Sequence, residues 1–250
     1  MSNSPLVTYK CLSPHNSGAR PYAITRITPH CVVGQASVES LGRTFSCTRK
    51  ASCNYGIGWD GKIGMYVPEN YTSWCSSSLD NDKKSVTIEC ASENKYPYRF
   101  NEVVYQKLID LCTDICKRHK KTRLVWISDK TKSLSYAQKD TEILLTVHRW
   151  FANKSCPGDW MYQHMAELAS VVTNRLASGT DLPNVPFKVR VSRKDLNIRK
   201  GNGVNFQKVK MIDAGIYTIV DVAEGKGSTL GWGKLKSGIG WISLDFVTLL

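Results

Sequence analysis

The segment Ser178-Gly-Thr-Asp-Leu-Pro-Asn-Val-Pro186 splits the chain into two stretches whose residue patterns call for different architectures. A helical pattern ends at its Gly and two prolines follow within seven residues, which marks a linker over residues 179–186. Upstream, over residues 1–178, the stretches Ile24 to Val33, Lys62 to Val67, Ser85 to Ala91 and Ile143 to His148 read as strands, being rich in β-branched or apolar residues. Helical patterns lie between and after them. Asn101 is the candidate N-cap of a helix carrying Val104, Leu108, Leu111, Cys112, Ile115 and Cys116 on one side. A second helix starts near Pro157 to Asp159 and turns Met161, Met165, Leu168, Val172 and Leu176 inward. Strands alternating with helices predict an α/β layer architecture. Downstream, residues 187–250 are short alternating segments broken by Gly or Asn, such as FKVRVSR, QKVKMID and IGWISLDFV, which predict a small all-β barrel or sandwich.

Charge and cysteine content narrow the function classes. The chain has 34 Lys+Arg against 21 Asp+Glu, a formal charge of +13, so its surface attracts polyanions: nucleic acid, anionic lipid or an anionic cell wall. Residues 187–250 hold 11 Lys+Arg against 5 Asp+Glu, so both halves share the excess. No nucleic-acid-binding motif accompanies it. No run approaches the roughly 18 apolar residues of a membrane span. The opening MSNSPLVTYKCLSPHNSGARPY has no basic segment followed by an apolar one, so the expectation is a soluble protein made in a cytoplasm. Nine Cys, an odd number with no CxxC pair, are expected as free thiols, core residues or metal ligands rather than a disulfide framework.

Three zinc-binding side chains stand where one site could use them: His30 late in the first strand, His148 at the end of a later strand, and Cys156 after a seven-residue loop. Three protein ligands with an open fourth position is the catalytic zinc arrangement. By spacing alone, a lone strand His is more often a packed or hydrogen-bonded residue. Strand alternation puts Ser85, Thr87, Glu89 and Ala91 on one face, which leaves Glu89 either a solvated edge residue or a placed acid. Lys154, two residues before Cys156, is either an exposed loop lysine or a cation positioned for an oxyanion.

The segments ITPHCVVGQA, SVTIECAS and TVHRWFANKSCPGDWM resemble the zinc-dependent N-acetylmuramoyl-L-alanine amidases of the amidase-2 type, whose fold is shared with peptidoglycan-recognition proteins and T7-type lysozyme. The resemblance covers roughly residues 8 to 178, and His-x7-Cys-Pro-Gly is its most specific part. It implies a mixed central sheet flanked by helices, zinc held by His30, His148 and Cys156, Glu89 as general acid and base, and Lys154 at the oxyanion. One departure matters. T7-type lysozymes and catalytic recognition proteins use a Tyr within the segment matching Ser52-Cys-Asn-Tyr-Gly56, but here Cys53 takes that place and Asn54 replaces a common His. That favours the Glu-dependent branch and leaves Tyr55 without an evident role.

Leu196-Asn-Ile-Arg-Lys-Gly-Asn-Gly203 and Gly240-Trp-Ile-Ser243 resemble the opening and closing signatures of bacterial SH3-like domains, which anchor lytic enzymes to walls. Residues 187–250 contain no His and no Cys, so their chemistry is binding, with Arg190, Arg193, Arg199 and Trp232 or Trp241 as charge and stacking groups and Trp241 counted as core. A tether of this kind raises the effective concentration of catalyst at a polymer. Together the two resemblances imply a peptidoglycan hydrolase with anionic wall polymers as further partners, without nucleic-acid binding or membrane insertion. The implied context is a phage or prophage endolysin, made in a bacterial cytoplasm and released at lysis. Two rivals stay open: a non-catalytic peptidoglycan-binding protein, and a wall cysteine peptidase. Cys112 and Cys116 are expected as core thiols and His119 as part of a solvated helix end. Trp74 and Trp150 are expected either in the core or as walls of a glycan groove.

Overall fold

The computed structural model describes residues 3–47, 50–177, 182–183 and 185–250; much of the expected linker 179–186 lies outside the described residues. The chain divides into two compact units, Met1–Leu176 and Ala177–Leu250.

The first unit runs β1 (Tyr9–Lys10), β2 (Asn16–Ala19), β3 (Arg26–Cys31), α1 (Val38–Ser46), β4 (Tyr55–Ile57), β5 (Ile63–Met65), β6 (Tyr71–Ser73), α2 (Leu79–Asp82), β7 (Ser85–Cys90), α3 (Glu102–Arg118), β8 (Arg123–Val125), α4 (Lys130–Leu134), β9 (Glu142–Leu145) and α5 (Asp159–Ala177). Its main sheet has the order β1-β5-β4-β7-β3-β9-β8, while β2 and β6 form a separate ribbon. The strands β4, β7, β3, β9 and β8 pair in parallel, β5 turns back antiparallel on β4, and β1 joins β5 in parallel. The sheet is therefore mixed. Its central strands are buried on both faces, which is why β3 and β7 read as nearly continuous runs of β-branched and apolar residues.

The two long helices form where the 3.6-residue pattern predicts them. Asn101 Oδ1 accepts the Val104 N–H at 2.8 Å and caps α3, which buries Val104, Leu108, Leu111, Cys112, Ile115 and Cys116. In α5, Met161, Met165, Leu168 and Val172 are buried, but Leu176 is only half-buried. Arg175 takes the inward place there, donating to Asp110 on α3 at 2.9 Å. The helix α1 is not legible as an apolar run, since it is nine residues long and half polar; Ser37 caps it by accepting the Ser40 N–H at 3.2 Å. The strand expected over 143–148 also ends early. After Thr146 donates to Ile27 O at 3.0 Å the chain leaves β3, and His148–Trp150 form a 3-10 turn. Apolar character continues through Val147, so composition does not mark where the ladder stops.

The second unit is all β: β10 (Phe187–Val191), β11 (Asn197–Arg199), β12 (Lys208–Met211), β13 (Gly215–Ala223), β14 (Trp232–Leu235), β15 (Trp241–Ser243) and β16 (Thr248–Leu249), in the order β12-β11-β15-β14-β13-β10-β16 with every neighbour antiparallel. Alternation along β10 buries Phe187, Val189 and Val191 and exposes Lys188 and Arg190. Gly240, at φ +150°, lies where an added Cβ would sit 2.3 Å from Arg199 O, so the approach of β15 to β11 requires glycine. The tryptophans reverse their expected places. Trp232 is buried, whereas Trp241 is half-exposed with Lys234 Nζ 5.9 Å from its ring centre.

The basic end of α3 is not simply solvated. Glu69, wholly buried in the loop after β5, accepts from Arg118 Nη2 at 2.6 Å and Nη1 at 2.9 Å and from Tyr55 OH at 2.6 Å, and its Oε2 lies 2.9 Å from His119 Nε2. This ties the last turn of α3 to β4. Burial opposes the Glu69 charge, but the His119 and Arg118 hydrogen bonds and the Arg118 charge outweigh it, lowering its pKa from 4.5 to about 2. A lowered carboxylate pKa stabilises the fold above the unfolded value, and that stability is lost as pH falls from 4.5 toward 2, about 3 kcal/mol in all. Acid titration of unfolding by urea should show this loss, and Glu69→Gln should remove roughly 3 kcal/mol at neutral pH while flattening the acid limb.

Candidate metal centre

The parallel ladder between β3 and β7 places His30 opposite Glu89 on neighbouring strands, one residue from the carboxyl end of each. Partners in a parallel register share a face, so imidazole and carboxylate emerge side by side. Gly56 is the partner of Glu89 on β4; an added Cβ there would lie 2.7 Å from Leu41 on α1, so the absence of a side chain lets α1 close down on this edge. A cleft of about 690 Å³ opens at this end of the sheet, walled by Ala36, Ser40, Leu41, Thr44 and Phe45, by Trp74–Cys75 and Ser77–Leu79, and by Glu89, His148 and Lys154–Cys156. Carboxyl ends of parallel strands are where open α/β sheets bind ligands.

Polar side chains fill the same face beneath the cleft. Thr28 Oγ1 lies 2.6 Å from Ser85 Oγ and 2.8 Å from Thr146 Oγ1, and accepts from Asn81 Nδ2 at 3.0 Å. Next to it, Asn54 Oδ1 accepts the Thr87 N–H at 3.1 Å while its amide nitrogen donates to Val67 O at 3.1 Å. All of these residues are buried, and the network satisfies groups that would otherwise be costly there. Asn54 thus serves the sheet, and Tyr55 is committed to Glu69 rather than to the cleft.

His30, His148 and Cys156 come together, each offering a donor atom within 4.8 Å of the others. Cys156 Sγ is 3.3 Å from His30 Nδ1, and the two imidazole centres are 5.0 Å apart. His30 is wholly buried and its Nε2 has no hydrogen-bond partner among the described residues. Burial, then the neighbouring His148, hold His30 well below the usual histidine range; burial, then Lys154, lower His148. Both rings are therefore neutral donors at physiological pH. Burial, then the hydrogen bond with Cys31 and the charge of Glu89, push the Cys156 thiol well above its ordinary value. A cation among these donors would favour the thiolate that burial disfavours. Two neutral imidazoles and one thiol are a donor set that fits zinc.

Glu89 and Lys154 line the same cleft. Trp74 walls it, whereas Trp150 is buried and stacks on Trp126 with centres 5.2 Å apart. The helix α3 keeps Cys112 and Cys116 buried as core thiols, and all nine cysteines are free.

Four residues that no motif singles out complete the surroundings. Cys75 Sγ lies 3.8 Å from Glu89 Oε1. Ser77, at φ +60°, places its hydroxyl 3.0 Å from His148 Nε2, a backbone conformation costing a non-glycine residue about 1–3 kcal/mol. Buried Asp82 holds that turn by accepting the N–H groups of Cys75 at 3.0 Å and Ser76 at 3.2 Å. Arg149 clasps the ligand loop: its N–H donates to Cys156 O at 3.1 Å, and its Nη2 donates to Ser155 O at 2.5 Å and Asp159 Oδ1 at 2.8 Å. In the sequence Cys75 is only one of nine cysteines and Arg149 only the neighbour of His148, while Ser77 and Asp82 carry no local signal of their roles.

The model of the N-acetylmuramoyl-L-alanine amidase family matches residues 19–159, more than half of the chain and all five of the residues His30, Glu89, His148, Lys154 and Cys156. The chain belongs to that family. Among solved structures it is similar to a mutant endolysin from Bacillus subtilis (14% identity, TM-score 0.44, covering 67% of this chain and 97% of that one). It is also similar to the Ph2119 endolysin from the Thermus scotoductus MAT2119 bacteriophage Ph2119 (17%, 0.41, 63% and 97%), and to a selenomethionine AmpD derivative (15%, 0.46, 70% and 99%). No curated protein matches the sequence.

Because the Arg149 guanidinium holds Ser155 O and Asp159 at the far end of the loop between His148 and Cys156, Arg149→Ala should loosen that loop, and if the three donors hold zinc, its affinity in a chelator competition should fall. Unchanged affinity would separate the clasp from the ligands.

Proposed function

We propose that the protein hydrolyses the amide bond between N-acetylmuramic acid and the L-alanine of the stem peptide in peptidoglycan, using zinc held by His30, His148 and Cys156. The observation that carries this reading is the convergence of those three donors, two of which line the cleft with Glu89, inside the segment that the amidase family model matches. Zinc, when bound, would supply Lewis-acid polarisation and lower the pKa of a coordinated water. Glu89, at the end of β7 and against the cleft, accepts a proton from the attacking water and returns it to the leaving nitrogen, a role worth about 10²–10⁴ in rate. Lys154, on the rim, faces the tetrahedral oxyanion with its ammonium, where a donor contributes about 10²–10³ in kcat.

The unit 187–250 is proposed as an SH3-like wall-binding module, with the cross-strand row Arg199, Trp241 and Lys234 as its contact surface. That row is cationic, with Lys234 exposed and Arg199 and Trp241 half-buried, which suits an anionic wall polymer. In this reading the protein is a phage or prophage endolysin, made in a bacterial cytoplasm and acting on Gram-positive walls after release.

Purified protein is expected to release peptide amino termini from such walls without new reducing sugar ends; reducing ends instead would refute amidase specificity. Chelation should abolish turnover and zinc restore it, whereas inhibition by thiol alkylation with indifference to chelators would favour a cysteine peptidase. Glu89→Gln should lower kcat by about 10²–10⁴ with little change in zinc content, and full activity in that variant would remove the assigned base. Trp241→Ala combined with Lys234→Ala should reduce sedimentation with walls while sparing hydrolysis of soluble muropeptides.

A further inference from the structure

We propose that His30, Cys75 and Glu89 form a second zinc seat that overlaps the first at His30 and holds the ion in an inactive position. Their donor atoms, like those of the first set, all lie within 4.8 Å of one another. The Cys75 Sγ to Glu89 Oε1 separation of 3.8 Å is close to the edge of about 3.6 Å that a tetrahedron of zinc–sulfur and zinc–oxygen bonds requires, so closure needs only small side-chain adjustment. His30 has two ring nitrogens to offer: Nδ1 lies 3.3 Å from Cys156 Sγ, while Nε2 is buried and without a hydrogen-bond partner among the described residues.

The three residues are also held in place by independent means. Glu89 is fixed to His30 by the strand register, and Cys75 by the Asp82 carboxylate that accepts its N–H. Imidazole, thiolate and carboxylate are all zinc ligands. On occupation the Cys75 thiol releases its proton to solvent and the sulfur donates its electron pair to the ion. An ion seated here takes Glu89 as a ligand, so the carboxylate no longer accepts protons from water, and His148 and Cys156 are left without their metal. Partition between the two seats then sets the active fraction. The existence of the seat rests on the geometry alone; its inactivity rests on the role proposed above for Glu89.

Cobalt loading of the full chain tests the seat, because a thiolate ligand gives an intense charge-transfer absorption that nitrogen and oxygen ligands do not. Cys156→Ser removes the thiolate of the first seat. Bound cobalt is expected to keep a thiolate band in this variant and to lose it in Cys156→Ser/Cys75→Ser. A band absent from the single variant, or surviving in the double, overturns the proposal. Cys156→Asp provides the same comparison with a carboxylate in the first seat, should the serine variant fold poorly. Hydrolysis by the unmutated zinc protein is measured separately. A chain with no amidase activity that still passes the cobalt test refutes the function and leaves the seat; an active amidase that fails it refutes only the seat.

Discussion

The pairing of β3 with β7 is the constraint on which the site depends. Parallel strands present their side chains in step, so a register that sets His30 against Glu89 also sets Thr28 against Thr87 and Arg26 against Ser85. One polar column therefore runs down one face of a buried sheet. A slip of one residue would exchange that column for Ile27, Pro29 and Cys31, burying the chemistry in the opposite layer. The hydroxyl and amide groups of Thr28, Ser85, Thr146 and Asn81 suit the present register because each finds a partner only there.

Around that column the protein uses backbone and charge to hold short segments in costly conformations. The turn after Trp74 has Ser77 in the left-handed region and is anchored by a buried carboxylate, Asp82, whose oxygens accept from two successive N–H groups. The loop between His148 and Cys156 is closed by one arginine bound to its far end. Strain and clasp together mean that the donors are brought near one another by the protein before any ion arrives, which lowers the ordering cost of binding. The same concentration of donors places Cys75 and Glu89 within reach of His30, so one arrangement of side chains serves two competing sets of ligands.

The candidate residues were legible one at a time as chemical types rather than as a site. Spacing alone left His30 open to a packed reading and Glu89 to a solvated edge position, and only the resemblance of their segments to the amidase family drew them together with His148 and Cys156. The helix with Asn101 as cap and the alternating strands of 187–250 were equally open to reading, because capping and two-residue alternation are local rules. What escaped were features that local rules do not encode. The helix α1 has too few apolar residues to announce itself, yet it walls the cleft. His119 and Arg118 look like a solvated basic helix end until Glu69, 49 residues upstream of Arg118, is found beneath them. Trp232 and Trp241 are chemically identical in sequence, and only the sheet decides which one is buried.

Local rules in the sequence set the main element types and the change of pattern near residue 178, since these follow from periodicity and capping, whereas the proposed donors His30, His148 and Cys156 were singled out by the likeness of their segments to the amidase family and not by spacing. Tertiary structure alone decided that His30 and Glu89 stand side by side, that Cys75 joins them, and that Tyr55 turns away to Glu69. The reason is physical: register and long-range ion pairing are properties of contacts between distant segments, and no single segment contains the information that sets them.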